Sequence, residues 1–255
     1  MAEFSPESLP WNRELPAIAE KIDAPHGTTI VCAVFADGVI IAGDRRVTMG
    51  SSIAHRQFDK VFPTDDYSAI GIAGSAGTAV EIAKLFQLEL EHYQKVDGAQ
   101  LSLAGKANRL STMIRANLAM AMQGLVVVPI FAGFDLEQAK GRIFTFDVTG
   151  GRTEETGFAA VGSGSVAARG AMKKLYREGM TAADVKLLVI QALYDAADED
   201  SATGGLDFTR NIYPLVGVLT EEGYSRLTET EVAEVARSVQ DGRAERPDGP
   251  QAPLR

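Results

Sequence analysis

From Thr28 to Ala36 the chain is rich in β-branched and small apolar residues, and Val39 to Ala42 repeats the pattern after Asp37-Gly38. Two such runs around Asp-Gly predict a β-hairpin whose tight turn uses the positive φ open to glycine. An antiparallel hairpin brings its ends together, so Thr28 should lie beside Asp44 and Arg46. Gln57 to Phe62 and Tyr67 to Ala73 read as two further strands, parted by Pro63-Thr64-Asp65-Asp66. A Gly74-Ser75-Ala76-Gly77 turn then feeds a helix. Ala79, Ile82, Phe86, Leu90 and Tyr93 recur at three- and four-residue spacing until Asp97-Gly98. A second helix carries Leu103, Ala107, Leu110, Ile114 and Leu118 on one face as far as Gly124.

The cycle repeats. Val126 to Phe134, Arg142 to Val148 and Gly157 to Val161 read as strands, with Thr149-Gly150-Gly151 as a turn. Gly162-Ser163-Gly164-Ser165 leads into a helix to about Arg177. Thr181 caps the next helix, with Asp184 in the place of a capping-box glutamate. Ile212 to Leu219 is a last strand and Glu229 to Val239 a last helix. Strands clustered between helix pairs do not give a doubly wound parallel sheet, which needs strict alternation. The expectation is an α+β protein: a four-layer αββα sandwich of two stacked antiparallel sheets with helices outside.

Flanking segments differ in character. Residues 1–27 hold Pro6, Pro10, Pro16 and Pro25 and no clear strand, and 241–255 hold three prolines and two glycines. The first reads as a leader and the second as a disordered tail around one domain, 28–240.

Composition narrows the function. A chain of 255 residues with 45% hydrophobic and 23% charged content is an ordinary globular one. Its net charge of −9 argues against nucleic acid as partner. Cys32 is the one cysteine, and His26, His55 and His92 have no ligand spacing, so no metal is expected. No apolar run is long enough for a bilayer, and the acidic leader is no secretory signal, so neither membrane nor export is expected and the cytoplasm is the default. Neither glycine-rich turn has the phosphate-cradling lysine pattern, so no cofactor is expected.

What remains is a threonine hydroxyl beside a carboxylate and a cation. Gly27-Thr28-Thr29, Gly43-Asp44-Arg45-Arg46, Lys60, Ala73-Gly74-Ser75-Ala76-Gly77, Gly162-Ser163-Gly164 and Asp200-Ser201-Ala202-Thr203-Gly204-Gly205 together resemble a 20S proteasome β subunit of the actinobacterial type. The resemblance runs in order from Gly27 to about residue 240. It implies an N-terminal-nucleophile hydrolase fold and a threonine endopeptidase, freed by self-cleavage between Gly27 and Thr28. A free α-amino group on Thr28, with a reference pKa of about 7.7–8.0, is a general base near working pH and removes the need for histidine.

The same resemblance implies roles for other residues. Lys60 puts a cation beside Thr28, Asp44 holds Lys60, and Arg46 supports them. The Gly74 N–H, where a strand gives way to a helix, can face developing negative charge. Ser163, Asp200 and Thr203 form a hydroxyl–carboxylate cluster. Thr203 stands where many members carry serine, and either Ser163 or Ser165 could face the site; Ser163 is preferred. Val47, Thr48, Ile72, Ala76 and Val80 match the primary substrate pocket. Implied partners are proteasome α subunits and other β subunits in stacked heptameric rings, an ATP-dependent unfoldase ring, and unfolded or tagged protein substrates. Two rivals are a simpler heat-shock peptidase of this fold and a non-catalytic ring subunit. The first is usually shorter and lacks Arg46; against the second stand Thr28, Asp44, Lys60 and Gly74 together.

Overall fold

A computed structural model of the protein describes residues 27–252. Leader positions 1–26 lie outside the described residues. The chain opens with β1 (Thr29–Phe35) and β2 (Gly38–Gly43), then a small hairpin of β3 (Val47–Met49) and β4 (Ser52–His55). Next come β5 (Val61–Asp65), β6 (Ser68–Gly74), α1 (Ala76–Asp97), α2 (Leu103–Ala116) and α3 (Leu118–Met122). The middle holds β7 (Val127–Asp135), β8 (Lys140–Phe146), β9 (Arg152–Glu155) and β10 (Phe158–Gly162), followed by α4 (Ser165–Leu175) and α5 (Ala182–Glu199). β11 (Leu215–Thr220), β12 (Gly223–Arg226) and α6 (Glu229–Glu245) complete it.

Two five-stranded antiparallel sheets form, in the orders β10-β1-β2-β11-β12 and β5-β6-β7-β8-β9. Strand alternation sends successive side chains to opposite faces, and β1 is a clear case. Ile30 and Cys32 point into a core with Ile41, Ala69, Ile130 and Ile143, between the sheets. Val31, Ala33 and Phe35 point the other way, into a core with Met172, Val185, Leu188 and Val232 of α4, α5 and α6. On the outer face of the second sheet, Phe131 and Phe144 pack with Phe86 of α1 and Leu110 of α2. β1 and β7 are therefore apolar on both faces, which is why they read as continuous hydrophobic runs. The four-layer αββα sandwich is the observed architecture.

Several local expectations need correction. The first hairpin turns at Ala36-Asp37, since Phe35 pairs with Gly38. Gly38 is glycine for another reason: a Cβ there would stand 2.1 Å from the Leu219 carbonyl oxygen of the adjacent strand. The expected strand at Gln57–Phe62 lies later, at Val61–Asp65, and absorbs Pro63 to Asp65 at an edge where proline removes no ladder bond. The second long helix breaks at Asn117. β3, β4, β9 and β12 are three or four residues long and lack apolar runs, so the hydrophobic pattern does not announce them.

The tail expectation also changes. α6 runs to Glu245, with a Thr228–Glu231 capping box. Beyond Val239, the buried Arg243 guanidinium donates to Gln191 Oε1 at 2.8 and 3.1 Å, to the Pro247 carbonyl at 3.0 Å, and pairs with Asp195. Composition suggests disorder from residue 241 on; as far as Pro247, one buried arginine with enough acceptors holds the chain instead, and residues 253–255 lie outside the described residues.

Candidate active site

The open end of the first hairpin, the loop before β11 and the β10–α4 turn meet at one place. Pairing of Ile30 with Gly43 places Asp44 beside Thr29, whose carbonyl accepts from the Asp44 N–H at 3.1 Å. The Asp44 carboxylate is 1% exposed and receives donors from both sides. Oδ1 accepts the Thr29 N–H at 2.8 Å and Lys60 Nζ at 2.7 Å. Oδ2 accepts the N–H groups of Arg46 and Gly204, each at 2.8 Å. Four donors, three of them backbone, satisfy a buried carboxylate that would otherwise be costly.

Lys60 enters from the start of β5, 2% exposed. Besides Asp44, its ammonium donates to the Gly27 carbonyl at 2.9 Å and to the Arg46 carbonyl. Burial pulls its pKa below the ordinary lysine value, and Asp44 only partly opposes this. The Thr28 hydroxyl donates to the same Gly27 carbonyl at 2.6 Å. Gly27 has φ +106°, and a Cβ there would come within 2.7 Å of Thr48 Oγ1 and 2.8 Å of the Ala202 carbonyl oxygen. Glycine alone fits this approach of three segments.

On the other side of Thr28 stands the hydroxyl–carboxylate cluster. Ser163 Oγ donates to Asp200 Oδ2 at 2.5 Å and approaches the Thr28 carbonyl at 3.4 Å, while the Ser163 N–H donates to that carbonyl at 2.9 Å. Ser163 thus makes the contact, and Ser165 begins α4. Thr203 Oγ1 donates to Asp200 Oδ2 at 2.6 Å, and the Ala202 N–H reaches Oδ1 at 3.1 Å. Burial pushes the Asp200 carboxyl up, but these donors from Ser163, Thr203 and Ala202 outweigh it and hold the group below its ordinary range. Gly162, at φ +105°, lets the β10 end close on β1: a Cβ would stand 1.9 Å from the Thr28 carbonyl oxygen.

The remaining expected residues are placed less tightly. Arg46 donates from Nη1 to the Ser201 carbonyl at 2.9 Å, bracing the loop that carries Asp200 and Thr203. Gly74 ends β6 at φ +114°, immediately before the Ser75 N-cap of α1. The Ile72 N–H binds the Lys60 carbonyl at 2.9 Å, tying the strand that leads to Gly74 to the lysine. Ile72 and Val47 are buried, Ile72 in the core beneath α1, whereas Thr48, Ala76 and Val80 are partly exposed.

Thr29, Gly164 and Gly204 belong to the same network; they stand in the motifs that carry the resemblance, but the sequence gives them no role. Thr29 Oγ1 is 2.6 Å from Thr203 Oγ1 and accepts the Gly164 N–H at 3.0 Å. The one available signal was two adjacent threonines. Strand alternation places neighbours on opposite faces, so a site on both sides of β1 would have employed both.

Chemically, the arrangement sets a hydroxyl and a buried ammonium on one carbonyl, with a carboxylate behind each flank. It suits acyl transfer by a threonine oxygen. Among the described residues no group of three or more His, Cys, Asp or Glu is placed to hold a metal ion, and no helix is long and apolar enough to cross a membrane.

Comparison with known proteins gives a consistent result. The family profile described as "Proteasome subunit" matches residues 24–207. The chain is 65% identical over 254 residues to a protein named proteasome subunit beta from Streptomyces griseus subsp. griseus, covering 100% of this chain and 90% of that one. It is 56% identical over 258 residues to the protein of the same name from Acidothermus cellulolyticus, covering 100% and 89%.

Proposed function

The chain belongs to the proteasome subunit family, and on that premise we propose that it is the proteolytic β subunit of a 20S proteasome core, a threonine endopeptidase that cuts its own chain between Gly27 and Thr28. One observation carries this reading. The Gly27 carbonyl, held at a φ only glycine tolerates well, receives both the Thr28 hydroxyl and the Lys60 ammonium.

Self-cleavage begins when the Thr28 hydroxyl turns its lone pair to the Gly27 carbonyl carbon. Lys60 stabilises the oxyanion as it forms. The Gly27–Thr28 C–N bond breaks, the nitrogen takes up the proton lost by the hydroxyl, and an ester joins Gly27 to Thr28 Oγ1. Water then hydrolyses the ester. The products are a leader ending in the Gly27 carboxylate and a chain beginning at Thr28 with a free amine.

In turnover that amine, beside Ser163, Asp200 and Thr203, takes the hydroxyl proton as Thr28 attacks a substrate carbonyl. The Gly74 N–H and the start of α1 face the new oxyanion. The departing amine receives the proton, and water releases the acyl group. Lys60, fixed by Asp44, favours the oxygen in its nucleophilic form throughout. Val47, Thr48, Ile72, Ala76 and Val80, at the positions that match the family's primary pocket, receive the side chain before the cut. The subunit acts within heptameric β rings stacked on α rings, on unfolded or tagged proteins delivered by an ATP-dependent unfoldase ring, in the cytoplasm. Neither metal nor cofactor takes part.

Intact mass of the purified mature chain and hydrolysis of a fluorogenic peptide test this together. The expected mass is that of residues 28–255, less any trimming at the C-terminal end, and Thr28→Ala keeps its leader and hydrolyses nothing. An active enzyme that retains residues 1–27 overturns the reading.

A further inference from the structure

The hydroxyl of Thr29 has no part in the chemistry above, yet it is buried and fully engaged. Its bond directions follow from proton counting. Asp200 is an ionised acceptor, so the 2.6 Å contact from Thr203 Oγ1 to Asp200 Oδ2 uses the single proton of Thr203. The 2.6 Å contact between Thr203 Oγ1 and Thr29 Oγ1 must then be donated by Thr29. Thr29 in turn accepts the Gly164 N–H at 3.0 Å. The result is a one-way chain from Gly164 N–H through Thr29 and Thr203 to Asp200, which Ser163 joins from the other side at 2.5 Å. The fit is close. A Cβ on Gly164 would stand 2.6 Å from Thr29 Oγ1 and 2.8 Å from Thr203 Oγ1, so only glycine lets the backbone come this close to both hydroxyls.

We propose that Thr29 is a positioning residue for peptide hydrolysis. By donating to Thr203 it fixes the Thr203 hydroxyl on Asp200 and so holds the carboxylate and Ser163 in place beside Thr28. It touches neither substrate nor reacting atom. Successive hydrogen bonds in one direction polarise one another, so the bond two steps from the carboxylate still affects it. The proposal rests on Thr28 as nucleophile.

The test uses the assembled protein with Thr28 already exposed. Thr29→Val keeps shape but removes the hydroxyl; kcat should fall about tenfold, the scale of one lost hydrogen bond, with KM within about twofold. Thr29→Ser restores the donor and should recover most of the rate. Thr203→Val should lower kcat by itself, and adding Thr29→Val to it should cost little more, because the first acts through the second. Should Thr29→Val fail to assemble, Thr29→Ala replaces it in the same comparison. A change confined to KM, a serine variant as slow as valine, or costs that multiply in the double variant would each overturn the proposal. Thr28→Ala separates the two layers. Retained hydrolysis there removes the nucleophile reading and this one with it, whereas an inactive Thr28→Ala beside an unimpaired Thr29→Val removes only this one.

Discussion

Replacing Lys60 by alanine separates the two roles proposed for one ammonium. In the uncut chain Nζ lies 2.7 Å from Asp44 Oδ1 and 2.9 Å from the Gly27 carbonyl oxygen, with the side chain almost wholly buried. A cationic donor on an oxygen that gains charge is worth about 2.7–4 kcal/mol in a transition state, roughly 10²–10³ in rate. Structural damage should be smaller than the about 3–5 kcal/mol of a broken buried pair, because Asp44 keeps its Thr29, Arg46 and Gly204 N–H donors. The expected variant therefore folds but keeps its leader.

Self-cleavage needs the activated hydroxyl while the amine is still locked in the peptide bond. A lysine that served only to lower the amine pKa would leave processing intact. Releasing Thr28 from a fused tag bypasses processing, and Lys60→Ala should still hydrolyse peptide at least about a hundredfold more slowly than the parent. Lys60→Arg should rescue little, since a planar guanidinium does not fit among the Asp44, Gly27 and Arg46 acceptors of a compact ammonium. Because burial lowers the lysine pKa, the alkaline loss of parental activity should begin below the ordinary lysine value of about 10.4. Near-normal hydrolysis by the pre-exposed, assembled Lys60→Ala protein would refute the catalytic role and leave the lysine structural.

Gly27→Ala should stall processing without harming the mature enzyme: its Cβ meets Thr48 Oγ1 at 2.7 Å and the immovable Ala202 carbonyl at 2.8 Å, at a φ of +106°. Mass spectrometry should find uncut chain, while the variant released at Thr28 matches the parent; cleavage at the parental rate would remove the steric argument. Asp44→Asn should unfold the site, because an amide has one acceptor oxygen and its NH₂ must face two of the four donors. A thermal midpoint and processing rate equal to the parent's would contradict it. Peptides with an apolar residue before the cut should be preferred, since Val47, Thr48, Ile72, Ala76 and Val80 include no charge, and burying such a side chain gives about 1.5–3 kcal/mol. Preference for acidic or basic peptides would refute the pocket assignment.

The layered fold was legible because its signal is periodic. β1 and β2 carry apolar residues on both faces, and α1 and α5 repeat at helical spacing, so each announces burial without help from distant residues. The Thr181–Asp184 box was legible for the same reason, being wholly local. Turn and edge details failed where the decisive contact lies elsewhere in the chain. Asp37-Gly38 has the composition of a positive-φ turn, yet Gly38 is set by the Leu219 carbonyl. β9 and β12 are edge strands whose partners supply the pairing that their polar sequences do not advertise.

The site divides along the same line. Thr28 and Asp44 could be joined from sequence because a hairpin makes distant positions neighbours by a simple rule. No such rule brings the loop at 200–205 to them. It arrives through the Gly204 N–H on Asp44, the Arg46 contact to the Ser201 carbonyl and the Thr203 contact to Thr29, each spanning more than half the chain. Only the family resemblance placed Asp200 and Thr203, and resemblance names residues without naming what holds them. That is why Thr29, though part of the Gly27-Thr28-Thr29 motif, has no role legible in the sequence. Its hydroxyl bonds to Thr203 and Gly164, in segments that sequence pattern could not bring near. The extra methyl of Thr203 is accommodated in the same way: the residue is fully buried, and its hydroxyl keeps both the Asp200 and Thr29 contacts. A serine could make both bonds but would rotate more freely, so threonine here gains a fixed hydroxyl direction from its β-branch. With the rotor fixed at Thr203 and the donor fixed at Thr29, the orientation of Asp200 is determined by the fold before any substrate arrives.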